Sequence, residues 1–392
     1  MASSTITFFP VGEKNGGMTL IKLNDKLETT ILIDCSIEDD LIADYCDVNQ
    51  ELRKRLPEDN HGRPYVDAFI LTHRHEDHVK GLDNFHLGSL SAYDYSAELP
   101  KIVIRELWSS HIYWKPESDN YSLCDNAKVI NKEIKRRIDL YKSKKTIQQE
   151  GDRIIIIGED PDGRTSDLKE IKYDIGNSFS KINEIDISEK LKGLILSPID
   201  KQDSEDDKSF LDHNRQSIVI QFTIYESDFY SRCRYDNKIL MSADAECLVW
   251  ETLWEKYINN SQVLEYDILY IPHHCSWHSL SYDSQSKDND PQIYDSAKKA
   301  LSKKRAGAFA VSQSKIITNK TDDPPSVEAK KEYQIIVGSD QFICTNEYPN
   351  TKEPEPLEFI LTSSGPQKKS VKSKSKLTTA SSQSVRESYP HG

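Results

Sequence analysis

Between residues 72 and 78 the chain reads Thr-His-Arg-His-Glu-Asp-His, which sets His73, His75 and His78 beside Asp77 on one short segment. Nitrogen and oxygen donors at that spacing can face two divalent cations at once, and two cations acidify a shared water and polarise the bond it attacks. A second pair, His273-His274, follows Pro272 about two hundred positions later, so five of the eleven histidines fall in two tight groups. The expected chemistry is therefore metal-assisted hydrolysis.

Both groups follow strand-like runs. Tyr65 to Thr72 (Tyr-Val-Asp-Ala-Phe-Ile-Leu-Thr) reads as a buried strand that ends at the first cluster, and Tyr266 to Ile271 is a strand that ends at Pro272-His273-His274. Loops at the carboxyl ends of strands are where α/β folds place their chemistry. Thr5 to Val11, Met18 to Leu23 and Thr29 to Asp34 supply earlier strands, with a helix expected around Ile37 to Arg55. Ser217 to Tyr225 and Lys238 to Ser242 read as adjacent antiparallel strands, the second leading into Ala243-Asp244 and a helix over Glu246 to Ile258. Gly307 to Ser312 and Gln334 to Val337 flank a helix opened by Pro325-Ser326.

In the middle of the chain, Ile130, Ile134, Ile138 and Tyr141 recur at helical spacing among Lys132, Lys135, Arg136, Arg137, Lys142, Lys144 and Lys145. This predicts an amphipathic helix over Ala127 to Thr146 with a solvated basic face. Arg153 to Gly158 and Leu194 to Pro198 read as strands around a polar stretch from Asp160 to Glu189. The expected organisation is one domain over residues 1–363, with an insertion around 105–190. Residues 364–392, rich in Ser and Lys with little apolar to bury, are expected to be a disordered tail.

Thr72 to Leu82 resembles the signature of metallo-β-lactamase-fold hydrolases. Val11-Gly12, Ile31 to Asp34, Asn214 to Ile218, Leu240 to Glu246 and Asp267 to Ser276 resemble, in the same order, the hydrolase domain of the ComEC/Rec2 DNA-uptake family. The resemblance spans roughly residues 5 to 345. It differs at Gly12 to Gly17, where that family has Gly-Gln-Gly-Asp, at Cys275, which replaces a glycine, and at Pro324-Pro325, which replaces His-Pro.

The resemblance implies an α+β fold, an αββα sandwich with the active site along one edge, and two divalent metal ions sharing a hydroxide. His73 and His75 would hold the first ion, Asp77 and His78 the second, with Asp244 bridging. His274 or His273 would complete the second site; His274 is favoured because it reaches further into its loop. His213 is either the third ligand of the first ion or a surface histidine. Asp34 is expected to orient a ligand histidine through its other ring nitrogen. Asp77 and Asp244 are the expected catalytic carboxylates. The donor set suits zinc, with manganese or iron as alternatives.

The implied activity is that of a phosphodiesterase or nuclease on nucleic acid or nucleotides. The same metal pair on one fold also serves hydrolysis of lactones, thioesters or phosphocholine-type esters. A reading from another class is a metal-stabilised scaffold acting with partner proteins in a multi-protein bacterial system.

Charge narrows the substrate. The whole chain carries −13, and the five Lys, one Arg and one Glu from Pro366 onward leave −18 on the rest. An acidic body counts against broad non-specific binding of nucleic acid and favours a small or locally steered phosphodiester. The seven cysteines are scattered and never form Cys-x-x-Cys, and neither a secretory leader nor an apolar run long enough for membrane insertion is evident. A soluble protein of the reducing cytoplasm is expected.

Overall fold

A computed structural model describes residues 3–38, 45–114, 123–144, 149–160, 163–198, 214, 217–227, 234–285, 291–318 and 322–370. Two large sheets dominate. In the first, the strands lie in the order Gly365–Lys368, Leu357–Thr362, Thr5–Phe8, Thr19–Lys22, Thr30–Ile33, Tyr65–Leu71, Ile102–Ser110, Arg153–Ile157 and Lys172–Tyr173. In the second the order is Ser178–Phe179, Leu191–Ser197, Val219–Ser227, Arg234–Met241, Tyr266–Tyr270, Lys304–Ser312 and Phe342–Cys344. Each sheet is antiparallel on one side. From Thr30–Ile33 in the first and from Arg234–Met241 in the second, the remaining neighbours run parallel.

Side-chain alternation explains the layering. Ile31 and Ile33 point to one face of their strand and Leu32 to the other. The first face joins Phe8, Ile70 and Trp108 against Phe222, Ile239, Ile268 and Val311 of the second sheet, forming the core between the sheets. The opposite face, with Phe69 and Leu107, is covered by Ile130, Ile134 and Ile138 of the helix Asp125–Lys144. On the far side of the second sheet, Leu240, Leu269 and Ala310 pack on Trp250 and Leu253 of Cys247–Tyr257, on Leu301 of Asp295–Leu301 and on Tyr333 of Val327–Val337. Central strands covered on both faces must be apolar throughout, which is why they read as unbroken runs. The result is a helix, sheet, sheet, helix stack of mixed α and β structure with six α-helices among the described residues.

Several sequence expectations change. The region called an insertion around 105–190 contributes Ile102–Ser110 and Arg153–Ile157 to the interior of the first sheet. Gln334 to Val337 is the last turn of a helix capped by the Ser326 side chain and stopped at Gly338, and the strand beyond it is Phe342–Cys344. Arg137, grouped with the solvated basic residues, is fully buried: its guanidinium donates to Glu133 at 2.7 Å and to the carbonyls of Arg153 and Ile104 at 2.9 and 3.1 Å. Between Ile37 and Arg55 the described helix is only Val48–Arg53, residues 39–44 lying outside the described set. Gly365–Lys368 carries the first sheet into the segment read as tail, and residues 371–392 lie outside the described set.

Candidate metal centre

The parallel strands of both sheets end on one edge of the stack, and that edge gathers the candidate ligands. Thr30–Ile33 delivers Asp34, Tyr65–Leu71 delivers Thr72 to His78, Arg234–Met241 delivers Asp244, Tyr266–Tyr270 delivers His273 and His274, and Lys304–Ser312 delivers Gln313. Main-chain bonds tie the loops together: Ile218 N donates to the Thr72 carbonyl at 3.2 Å and His273 N to the Ala243 carbonyl at 3.0 Å.

Asp244 sits at the middle. Its Oδ2 lies 3.4 Å from Nε2 of both His73 and His274, and its Oδ1 lies 3.2 Å from Nε2 of His78. His274 Nε2 is also 3.0 Å from Asp77 Oδ2. Two donor groups share this carboxylate: Asp77, His78, Asp244 and His274 form one, and His73, His75 and Asp244 form the other, each with ligand atoms within 4.8 Å. Asp34, His73 and His78 make a further overlapping group. His273 stands apart, with Nε2 3.9 Å from Asp244 Oδ2 and 3.3 Å from the Asn214 amide, and Nδ1 3.5 Å from Glu246. His213 lies outside the described residues. His278 Nε2 lies 4.0 Å from Asp323 Oδ2 and belongs to none of these donor groups.

The outer nitrogens of the rings decide how the inner ones are presented. His78 Nδ1 is 2.7 Å from Asp34 Oδ2, and His274 Nδ1 donates to the Gln313 carbonyl at 2.8 Å. The Thr72 hydroxyl donates to Asp34 Oδ2 at 2.6 Å, which leaves its lone pairs to accept from His73 Nδ1 at 3.0 Å. Each arrangement fixes a ring with Nε2 turned to the cluster, as a metal-ligating histidine requires. His73 Nε2 is buried and has no hydrogen-bond partner among the described residues.

Electrostatics follow from burying carboxylates and imidazoles together. Burial opposes charge on His78 and His274, yet Asp244 and its neighbours outweigh it, holding His78 well above the usual imidazole range and His274 up at about 10. Burial would raise Asp244 and Asp77, but the surrounding histidines hold both well below the usual carboxylate range. Burial, reinforced by neighbouring His73, pushes His75 down to about 3. The buried carboxylates thus favour positive charge at this point of the cluster, the charge that a divalent cation would bring in place of protons.

Backbone strain concentrates here as well. Asp34, Ala243, His273, His274 and Cys275 all have positive φ, between 45° and 68°, a region that non-glycine residues seldom enter. At Cys275 φ is 68°, a conformation that glycine enters far more readily than cysteine.

Sequence reasoning gave no role to Gln313, Tyr270, Asn214, Glu246 or the pair Gly16-Gly17. Gln313 is fully buried, and its amide donates to the Phe9 and Met18 carbonyls and accepts from Met18 N, binding the amino-terminal loop to the edge that holds His274. A Cβ on Gly17 would lie 2.9 Å from the His78 ring, and one on Gly16 would lie 2.3 Å from Ser36 Oγ, so only glycine lets this loop press on the cluster. The doubled glycine after the first strand was the available signal.

No family model and no curated protein matches the chain. Among solved structures, the crystal structure of unliganded yeast PDE1 is similar at 11% sequence identity and a TM-score of 0.39, over 88% of this chain and 97% of that one. A likeness that remote assigns neither a fold family nor an activity. The chain is a layered α/β protein whose strand ends bring histidines and aspartates into groups able to hold metal ions.

Proposed function

We propose that the protein is a dinuclear-metal hydrolase of the metallo-β-lactamase fold acting on a phosphodiester. One observation carries the reading: two donor groups meet at one buried carboxylate, Asp244, and His73 Nε2 within them is buried without a hydrogen-bond partner among the described residues. A buried nitrogen left in that state is costly unless something occupies its lone pair. The residues therefore fit divalent cations, with His73, His75 and Asp244 holding one and Asp77, His78, Asp244 and His274 the other.

When bound, such ions would acidify a water and polarise the oxygen of the scissile group. Asp34, Thr72 and the Gln313 carbonyl keep the imidazoles in the tautomer that donates a lone pair inward. Asp77 differs from Asp244 in being partly open to solvent, its side chain 32% exposed against 2%. That exposure supports Asp77 as the carboxylate that would orient an attacking water. His273, Asn214 and Glu246 form a polar rim beside the cluster, suited to contact substrate rather than ion. The phosphodiester class rests on the family resemblance of the histidine segments, and the acidic body favours a nucleotide or a short strand over long duplex.

The test is turnover of bis-p-nitrophenyl phosphate, a lactone and a thioester by protein loaded with zinc or manganese. Phosphodiester turnover that Asp77→Ala and Asp244→Ala abolish is the expected result. Turnover of the lactone or thioester alone would replace the substrate class, and a protein inert toward all three whose biological role survives both substitutions would be a scaffold.

A further inference from the structure

Tyr270 closes the strand that leads to His273 and His274. Its ring stacks on Phe8 in the core between the sheets, with centroids 6.4 Å apart and planes at 12°. Its hydroxyl is buried, and none of the described residues hydrogen-bonds to it. Phenylalanine would pack identically and leave no polar atom stranded, so the hydroxyl is not there for packing.

Its surroundings indicate a use. Tyr270 lines a cavity of about 10 Å³ together with Gly17, Asp34, Thr72, Met241 and Gln313, among others. That is the size of one water, which needs two or more polar partners to be held. Asp34, Thr72 and Tyr270 supply them. Asp34 is the carboxylate bound to His78 Nδ1, and a Cβ placed on Gly17 would lie 3.1 Å from Tyr270 Oη and 2.9 Å from His78 Nδ1. The bare glycine thus brings the hydroxyl and the histidine to the two sides of one small space.

We propose that Tyr270 is a positioning residue: its hydroxyl donates to one buried water that donates in turn to the Asp34 carboxylate, fixing the oxygen that orients His78. The chain of contacts runs from Tyr270 through water and Asp34 to the inward-facing nitrogen of His78. It rests on the reading of His78 as a metal ligand.

The experiment compares wild type with Tyr270→Phe, which keeps the ring on Phe8. Zinc affinity, read by competition with a chromophoric chelator, is expected to fall about tenfold or more, as when other partners behind a ligand are lost. In the metal-free protein the ¹⁵N signals of the His78 ring should move while those of His61 stay, and the unfolding midpoint should be equal or higher. A high-resolution crystal structure of wild type should show a water within hydrogen-bond distance of both Tyr270 Oη and Asp34. Unchanged zinc affinity, or a cavity without that water, overturns the assignment. Wild type that binds no zinc at all would instead overturn the metal reading, and the crystallographic result would still decide the role of Tyr270.

Discussion

Asp34 Oδ2 lies 2.7 Å from His78 Nδ1, and the same oxygen accepts the Thr72 hydroxyl at 2.6 Å. One carboxylate therefore stands behind two of the histidines that face Asp244, directly for His78 and through Thr72 for His73. Asp34→Asn should weaken divalent-cation binding by about 10- to 100-fold, the usual effect of losing such a partner. Competition titration with zinc checks it; wild-type affinity in the variant would mean that Asp34 serves only to close its turn.

The adjacent histidines should separate cleanly. His274 Nε2 points at Asp77 and Asp244, whereas His273 Nε2 lies 3.9 Å from Asp244 and its Nδ1 faces Glu246. His274→Ala should cost one bound ion per chain, while His273→Ala should keep both and raise KM with little change in kcat. Elemental analysis of the two variants, together with steady-state kinetics, decides between them. Loss of an ion from His273→Ala alone would exchange the roles.

Glu106 gives stability a pH dependence remote from the site. Burial, partly offset by hydrogen bonds from Trp108 Nε1 and Asn183 N, raises its carboxyl from 4.5 to about 7. Between those values the folded protein keeps a proton that the unfolded chain has released. This contribution to stability is therefore present at low pH and lost as pH rises towards 7. Glu106→Gln, which keeps an oxygen for both donors, should gain stability relative to wild type across that window, by up to roughly 3 kcal/mol. Urea unfolding of both proteins at pH 5 and pH 8 measures the difference, and a difference independent of pH would refute it.

Arg137 pins the helix Asp125–Lys144 to the first sheet through Glu133 and the carbonyls of Arg153 and Ile104. Arg137→Ala should destabilise by about 3 kcal/mol, the scale for breaking a buried charge pair, with zinc affinity unchanged. A loss below about 1 kcal/mol would place the residue with ordinary surface pairs.

How much of this was legible beforehand depends on whether the signal was local. Runs such as Tyr65 to Leu71 and Tyr266 to Tyr270 announced strands because both their faces are buried, and the histidines at their ends marked the edge. The histidine clusters stood out by residue type and position after a strand, whereas Asp244 as their meeting point was implied only by the family resemblance. Arg137 was misread because helical spacing places it beside the basic face, and the carbonyls that accept it come from strands elsewhere in the chain. Most of Ile102–Ser110 fell within the stretch around 105–190 read as insertion, because its partners, Tyr65–Leu71 and Arg153–Ile157, are set by pairing rather than by sequence neighbourhood. Gln313 and Tyr270 act through contacts with residues far along the chain, so no spacing could reveal them, and Gly17 left only its doubled glycine as a sign.

The central claim is that Asp244 joins two ions. Metal analysis of purified wild type and Asp244→Ala after saturation with zinc and removal of the excess tests it most directly. Two ions per wild-type chain and fewer than one in the variant is the predicted result. A single ion per wild-type chain, or two retained by Asp244→Ala, would contradict it.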